Sequence, residues 1–158
     1  MNEKDSITLL LGTDNSLVHI AYDICKEYHA DQTDANGRVY YEHPIRIATQ
    51  CDSDEEKIVA LLHDIIEDTS LTASDLENYG IPKVCIEAIL LLSRNKEERY
   101  GDYIRTIKNS GNIIALKIKI LDIKDNSNLT RIKDISERDI SRTERYLRAL
   151  KILLNYSE

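Results

Sequence analysis

One segment restricts the fold of this chain more than any other. Residues 55–67 are apolar on almost every side of a helix, with Ile58, Val59, Leu61, Leu62, Ile65 and Ile66 in this stretch. A helix that is apolar all round belongs in the centre of a domain. Its C-terminal half, LLHDIIEDT, nevertheless carries polar residues, and burying polar groups is costly unless something compensates them. The segment therefore predicts a central helix that carries a functional site.

The rest of the chain predicts more helices around this one. Only five Gly and two Pro occur in 158 residues, and charged residues recur at helical spacing. This length suits one domain with one core. We therefore expect an all-α fold, a single compact bundle of about seven to nine helices in one domain over residues 1–158. The predicted helices cover 16–29, a short one from 42, 55–67, one that stops at Gly80, one from Pro82 to about 92, 102–108, 113–126 and 137–153. The last one carries an apolar face made of Ile140, Tyr146, Leu147, Leu150 and Leu154.

Composition narrows the class of partner and the compartment. The 21 basic and 28 acidic residues give a net charge of −7, which argues against binding a nucleic acid polymer, since that needs a basic face. Three cysteines without metal-ligand spacing predict buried free thiols in a reducing cytosol. No stretch reaches the roughly 18 apolar residues of a membrane span. We expect a cytoplasmic protein that does not contact a membrane, and the sequence leaves homo-oligomerisation open.

Four polar residues of the central segment are spaced to meet on one face. Glu67 lies four residues after His63 and three after Asp64, and Asp68 lies four after Asp64. Offsets of three and four place side chains along one stripe of a helix. Three carboxylates in one stripe repel one another unless a cation neutralises them. The alternative is a core histidine followed by acids at an exposed helix end.

Two further residues favour the metal interpretation. His43 begins another predicted helix just before Pro44, and Asp122 lies on a third apolar helix with Asn126 four residues on. With His63 and Asp64 they make a set of two imidazoles and two carboxylates, which suits Mn²⁺, Fe²⁺ or Mg²⁺, although Zn²⁺ stays open. Such an ion lowers the pKa of a water and polarises a phosphoryl oxygen. Glu67 and Asp68 are then suited to orient or deprotonate that water.

These residues resemble the pattern of the HD-domain superfamily of metal-dependent phosphohydrolases. That pattern is an isolated His, a His-Asp doublet and a distant Asp, here His43, His63, Asp64 and Asp122. The extended forms HDxxED, YxEHP and DxxxN are similar to those of the RelA/SpoT-type branch, small stand-alone members included. Those enzymes remove the 3′ pyrophosphate from guanosine tetra- and pentaphosphate. The resemblance runs over about residues 29–150.

The resemblance implies roles for residues around the metal. It implies that Glu67 and Asp68 activate the water, and that Asn126 contacts the nucleotide. Lys119 corresponds to a lysine that precedes the downstream Asp in the family, and we expect it to bind substrate. Arg94 lies in a charged stretch, SRNKEERYGD, which resembles a loop that flanks the pocket in small members, so we expect it to bind substrate as well. The alternative for Arg94 is a solvated loop.

One departure from the family concerns the substrate. The family commonly carries an Arg-Lys pair before its first His, and alignment on Gly37 and His43 puts Asp34 and Ala35 at that place. Losing two cations weakens the binding of a highly charged nucleotide. Arg46, one helical turn after His43, is a candidate replacement. We therefore expect an enzyme that acts on a nucleotide phosphate or pyrophosphate ester.

Two other interpretations stay open at this point. The first is a non-catalytic module that keeps the metal and senses a nucleotide, and the second is a helical interaction scaffold. Retention of Glu67 and Asp68 favours the enzyme, because a binding module has no need of residues that activate water. A scaffold leaves the buried polar stripe unexplained.

Overall fold

The chain folds into helices that pack around one apolar core. The structure is a computed structural model and describes residues 1–155. The last three residues of the predicted domain therefore lie outside the described part. The α-helices are α1 (Glu3–Leu11), α2 (Ser16–Tyr28), α3 (Glu42–Thr49), α4 (Asp54–Leu62), α5 (Ile65–Asp68), α6 (Ala73–Asn78), α7 (Lys83–Leu92), α8 (Tyr100–Asn109), α9 (Ile113–Asn126) and α10 (Glu137–Leu154), with a 3-10 turn at Leu129–Arg131.

The all-α prediction is confirmed over the described residues. Their only β-type pairing is an isolated bridge between Thr33 and Val39 in the loop before α3. Within residues 1–155 no helix has the length and apolar character that crossing a bilayer requires. All three cysteines are buried and unpaired, as the sequence predicts.

Helix α4 occupies the centre of the bundle, packed by α2, α3, α7 and α9. Every residue from Lys57 to Leu62 is buried, which confirms the prediction from the all-round apolar pattern. Its first turn is held by a capping box, in which the Ser53 hydroxyl accepts from the Glu56 N–H and the Glu56 carboxylate accepts from the Ser53 N–H. Hydrogen bonds thus fix the N-terminal end of α4, and its C-terminal end leads directly into His63 and Asp64.

The predicted continuous helix over residues 55–67 is wrong, because the helix breaks at His63 and Asp64. Helix α4 ends at Leu62, and a single turn, α5, begins at Ile65. The His63 ring explains the break, since its Nδ1 donates to the Ala60 carbonyl at 2.6 Å. That carbonyl is the one that the Asp64 N–H would reach in a continued α-helix. A side chain that takes a backbone acceptor competes with the helix.

Two other expectations about the elements need correction. A helix, α1, precedes the one predicted to be first, and its Ile7 and Leu11 are buried in the core. On α10, Leu147 is 56% exposed, whereas Ala149 and Leu153 are buried. The inward face of α10 is therefore rotated from the predicted face, which included Ile140, Tyr146, Leu147, Leu150 and Leu154.

Candidate metal centre

Three parts of the fold bring the four predicted ligands together. Helix α3 supplies His43 from its first turn, the break after α4 supplies His63 and Asp64, and α9 supplies Asp122. One donor atom from each of His43, His63 and Asp64 lies within 4.8 Å of the others. Asp122 joins them, with its Oδ1 2.9 Å from His43 Nε2 and 3.5 Å from His63 Nε2.

Hydrogen bonds on the far side of each ring fix the two imidazoles. His63 Nδ1 donates to the Ala60 carbonyl, and His43 Nδ1 lies 2.6 Å from the Asp125 carboxylate. Both acceptors lack a proton to give, so both Nδ1 atoms carry one. Each Nε2 is then turned toward carboxylate oxygens, and His63 Nε2 lies 3.1 Å from Asp64 Oδ2.

This arrangement calls for positive charge at its centre. Nitrogen lone pairs that face carboxylates repel them unless protons or a cation lie between. Burial lowers the pKa of His63, but Asp64 and Asp122 outweigh it and hold that pKa well above its usual value. One divalent ion supplies the charge of two such protons. The nitrogen and oxygen atoms of these pairs lie 2.9–3.5 Å apart, so the same residues would hold one such ion.

The His63 nitrogen gives independent support for a metal. Its Nε2 is buried and has no well-aligned hydrogen-bond partner among the described residues. A buried polar atom without a partner is costly. Coordination to an ion would satisfy it, so the donor set fits a divalent metal.

Asp122 is further held by two residues that the sequence predicts to bind substrate. Lys119 Nζ donates to Asp122 Oδ2 at 2.8 Å, and Asn126 Nδ2 donates to Oδ1 at 3.0 Å. Burial raises the pKa of Asp122, but the Lys119 charge and the histidines lower it more, so the carboxyl stays ionised. Both residues therefore contact a candidate ligand as well as the neighbouring cavity.

Asp64 and Asp122, two of the four proposed ligands, line a cavity of about 210 Å³. Glu67 and Asp68 line the same cavity, so the three acids of the predicted stripe stay together although the helix is broken. The backbone N–H of Arg94 donates to the Glu67 carboxylate at 2.6 Å. Partial burial, followed by the charge of Asp64, raises the pKa of Asp68 to about 6. A carboxyl with a pKa near neutrality is suited to take up and release a proton.

Basic and aromatic residues also line this cavity. The guanidinium groups of Arg94 and Arg145 lie 5.5 and 5.1 Å from the centre of the Tyr100 ring. Arg94 also donates to the Glu98 carbonyl at 2.9 and 3.1 Å. Neither guanidinium forms an ion pair with a carboxylate of the described residues, and both are therefore suited to an anionic ligand.

A second cavity, of about 240 Å³, lies on the other side of Asn126. Asp34 and Ala35 are on its wall, at the place of the family's Arg-Lys pair. The Asp34 carboxylate accepts from the Arg38 N–H and so holds its own turn. Three arginines face this cavity, but each is paired with a carboxylate: Arg46 and Arg131 with Asp125, and Arg142 with Asp139.

Sequence reasoning missed two residues that touch the predicted ligands. Tyr40 donates its hydroxyl to the Asp64 carboxylate, and it is the first residue of the YxEHP motif. Asp125 contacts His43, and the signal for it was its position three residues after Asp122, close to the same face of α9. Arg46, predicted to contact substrate, donates instead to Asp125 from both Nε and Nη2, while it still lines the second cavity.

No family model matches the chain, but sequence comparison finds similar proteins. The chain is 31% identical over 110 residues to a guanosine-3′,5′-bis(diphosphate) 3′-pyrophosphohydrolase of Aquifex aeolicus, and 33% identical over 91 residues to a probable one of Mycoplasma pneumoniae. It is 39% identical over 61 residues to the bifunctional (p)ppGpp synthase/hydrolase SpoT of Escherichia coli. These matches cover 62%, 53% and 36% of this chain but only 16%, 12% and 9% of the relatives.

A solved structure shares the fold. It comes from work on a metazoan ortholog of SpoT that hydrolyses ppGpp, and it superposes with a TM-score of 0.73 at 22% identity. The match covers 89% of this chain and 87% of that one. The chain is thus similar in sequence to these guanosine-3′,5′-bis(diphosphate) 3′-pyrophosphohydrolases, and it shares the fold of the solved structure.

Proposed function

We propose that this chain is a metal-dependent phosphohydrolase that cleaves a phosphate or pyrophosphate ester of a nucleotide. The observation that carries the proposal is the meeting of His43, His63, Asp64 and Asp122, with both histidine Nε2 atoms turned toward carboxylates. These four residues are the proposed ligands of one divalent ion. We propose Mn²⁺ as that ion, with Fe²⁺, Mg²⁺ and Zn²⁺ as its competitors, because the donors are mixed nitrogen and oxygen.

The side chains around the proposed ion have separate roles in hydrolysis. When bound, a divalent ion lowers the pKa of a water and polarises a phosphoryl oxygen. Glu67 and Asp68, on the same cavity, accept the proton of the attacking water and orient it. Arg94 and Arg145, which line the same cavity, attract the phosphates, and Lys119 keeps Asp122 ionised. Asn126, between the two cavities, contacts the nucleotide.

The substrate that the relatives favour is guanosine 3′,5′-bis(diphosphate), with loss of its 3′ pyrophosphate. Similarity to enzymes of that name supports this choice. The second cavity argues against tight binding of such a highly charged substrate, because its three arginines are already paired with carboxylates. Asp34 also stands where the family has a cation. Weaker binding than in relatives with the Arg-Lys pair follows, and a nucleotide with fewer phosphates becomes a competitor.

The experiment is a release assay over a panel of nucleotides with Mn²⁺ supplied. Guanosine tetraphosphate, GTP, GDP and a nucleoside 3′-phosphate are incubated with wild-type protein and with H63A, and the released phosphate and pyrophosphate are quantified. We expect pyrophosphate from guanosine tetraphosphate with wild type, and none with H63A. Nucleotide binding without turnover by metal-loaded protein would favour the sensing module. If the protein neither binds nor cleaves any nucleotide of the panel, both the enzyme and the sensing module are overturned.

We propose one domain that works in the cytoplasm on a small-molecule substrate, without nucleic acid or membrane. Sedimentation of the purified chain would decide whether it forms a homo-oligomer.

A further inference from the structure

A buried carboxylate outside the proposed ligand set holds one of the ligands in place. Asp125 Oδ2 lies 2.6 Å from Nδ1 of His43, and the side chains of both residues are at most 7% exposed. The opposite nitrogen of the same ring, Nε2, lies 2.9 Å from Asp122. The His43 ring is thus fixed from both sides.

Two arginines fix Asp125 in turn. Arg46 donates to it from Nε at 3.0 Å and from Nη2 at 3.0 Å, a two-pronged contact with defined geometry. Arg131 Nη2 lies 3.2 Å from Asp125 Oδ1 and donates to the backbone carbonyl of the same residue at 2.7 Å. Helix α3, helix α9 and the 3-10 turn after it therefore meet at this carboxylate.

The contact has a defined effect on His43. A carboxylate accepts but cannot donate, so the proton of a neutral ring stays on Nδ1 and the lone pair on Nε2. A hydrogen bond from the far nitrogen of a metal-binding histidine sets its tautomer and orientation and makes it a better donor. The negative charge of Asp125 would be costly to bury alone, and the two arginines offset that cost.

We propose that Asp125, held by Arg46 and Arg131, is a positioning residue that aims the His43 ring at the metal. This inference rests on the proposed metal site and adds a residue to it. It also gives Arg46 a role other than the phosphate contact that the sequence predicts.

The test compares manganese binding by D125A and D125N with that of wild type. Calorimetry gives the Mn²⁺ dissociation constant, and circular dichroism gives the fold and the melting temperature of each metal-free protein. We expect D125A to bind Mn²⁺ on the order of 10- to 100-fold more weakly. D125N keeps an oxygen that accepts from Nδ1, so we expect it to recover part of this loss.

A matched control is D52A, because Asp52 also pairs with a basic side chain, Lys117 at 2.8 Å, but its own side chain is 89% exposed. We expect unchanged Mn²⁺ binding in D52A. Folded D125A and D125N that bind Mn²⁺ as wild type does would overturn the positioning role and leave the proposed function intact. Wild type that binds no Mn²⁺, Fe²⁺, Mg²⁺ or Zn²⁺ would overturn both.

Arg46 separates this network from a direct contact with substrate. Removing it in R46A leaves Asp125 with Arg131 alone, so we expect weaker Mn²⁺ binding, with a smaller loss than in D125A. A purely substrate-binding Arg46 predicts instead a raised KM and an unchanged Mn²⁺ dissociation constant. That second result would remove Arg46 from the proposed network.

Discussion

Glu67 is the residue whose substitution best separates catalysis from metal binding. Its carboxylate lines the cavity beside the proposed ligands and accepts from the Arg94 N–H, but it is not among the ligands. We predict that E67Q keeps its Mn²⁺ affinity and loses about 10²- to 10⁴-fold in kcat, the range typical of general-base catalysis. Single-turnover pyrophosphate release and manganese calorimetry measure the two quantities.

The control for this substitution is E97Q, in the exposed loop before α8. The same change of charge there is expected to leave kcat within a factor of two or so, as for most surface changes. Full activity in E67Q would remove Glu67 as the base, and lost Mn²⁺ binding would make it a ligand instead.

Asp68 gives a pH dependence in the metal-free protein. Its folded pKa of about 6 is above its usual 3.8, so ionising it opposes folding. The stability associated with this group is full below its usual pKa and is lost as pH rises through 6. We predict that D68N gains stability relative to wild type between pH 5 and 7.5, by no more than about 1 kcal/mol, because the partly buried carboxylate still contacts solvent, which screens it. Urea unfolding in a chelator measures the difference, and a gap independent of pH would contradict it.

Among single residues, the sequence predicted which proposed ligands meet better than it predicted the residues that support them. His43, His63, Asp64 and Asp122 lie where a pattern of residue types predicts a metal set, and the structure brings them together. Asp125 was not predicted, because an acid near the end of a helix looks like a solvated side chain until the His43 ring is placed beside it.

At the level of elements, the capping box of α4 tests how firmly the central helix begins. Ser53 is the N-cap of α4, and its hydroxyl accepts from the Glu56 N–H at 3.1 Å. We predict that S53A loses about 1 kcal/mol of unfolding free energy, as other N-cap substitutions do. Its Mn²⁺ affinity should not change, because the cap lies at the end of α4 remote from His63.

A serine in the first turn of another helix provides the control for S53A. Ser74 lies exposed in the first turn of α6 and caps nothing, since Thr72 holds that cap. S74A should stay within about 0.5 kcal/mol of wild type. Equal losses in both variants by chemical denaturation would contradict the assigned role of Ser53.

Helix boundaries could be predicted where they depend on a local sequence pattern, but not where they depend on a tertiary contact or on a single side-chain hydrogen bond. Helix α9 begins and ends where the sequence predicts, since Asn112 caps it. Helix α1 was missed because its nine residues carry too weak a pattern, and only packing of Ile7 and Leu11 shows its buried face. The break after Leu62 depends on one ring reaching one carbonyl, which periodicity does not register.

For the whole molecule, metal binding should raise stability, because the proposed ligands come from separate parts of the fold. A ligand at 100 times its dissociation constant adds about 2.7 kcal/mol to a protein that binds it only when folded. For a chain of this size that corresponds to roughly 5–10 °C in Tm. We predict such a rise with Mn²⁺ for wild type and none for H63A, measured by calorimetric scanning. Equal rises in both proteins would place the ion elsewhere.

The hydrogen bond between the His63 ring and the Ala60 carbonyl has a consequence for how the ion enters. The ring is locked by the backbone of the central helix, so this donor is already aimed when the chain finishes folding. Rotating it away would leave a buried carbonyl bare, which costs about 1–3 kcal/mol. The His63 ring is therefore preorganised for the proposed ion, and we expect binding of the ion to require little movement of this side chain.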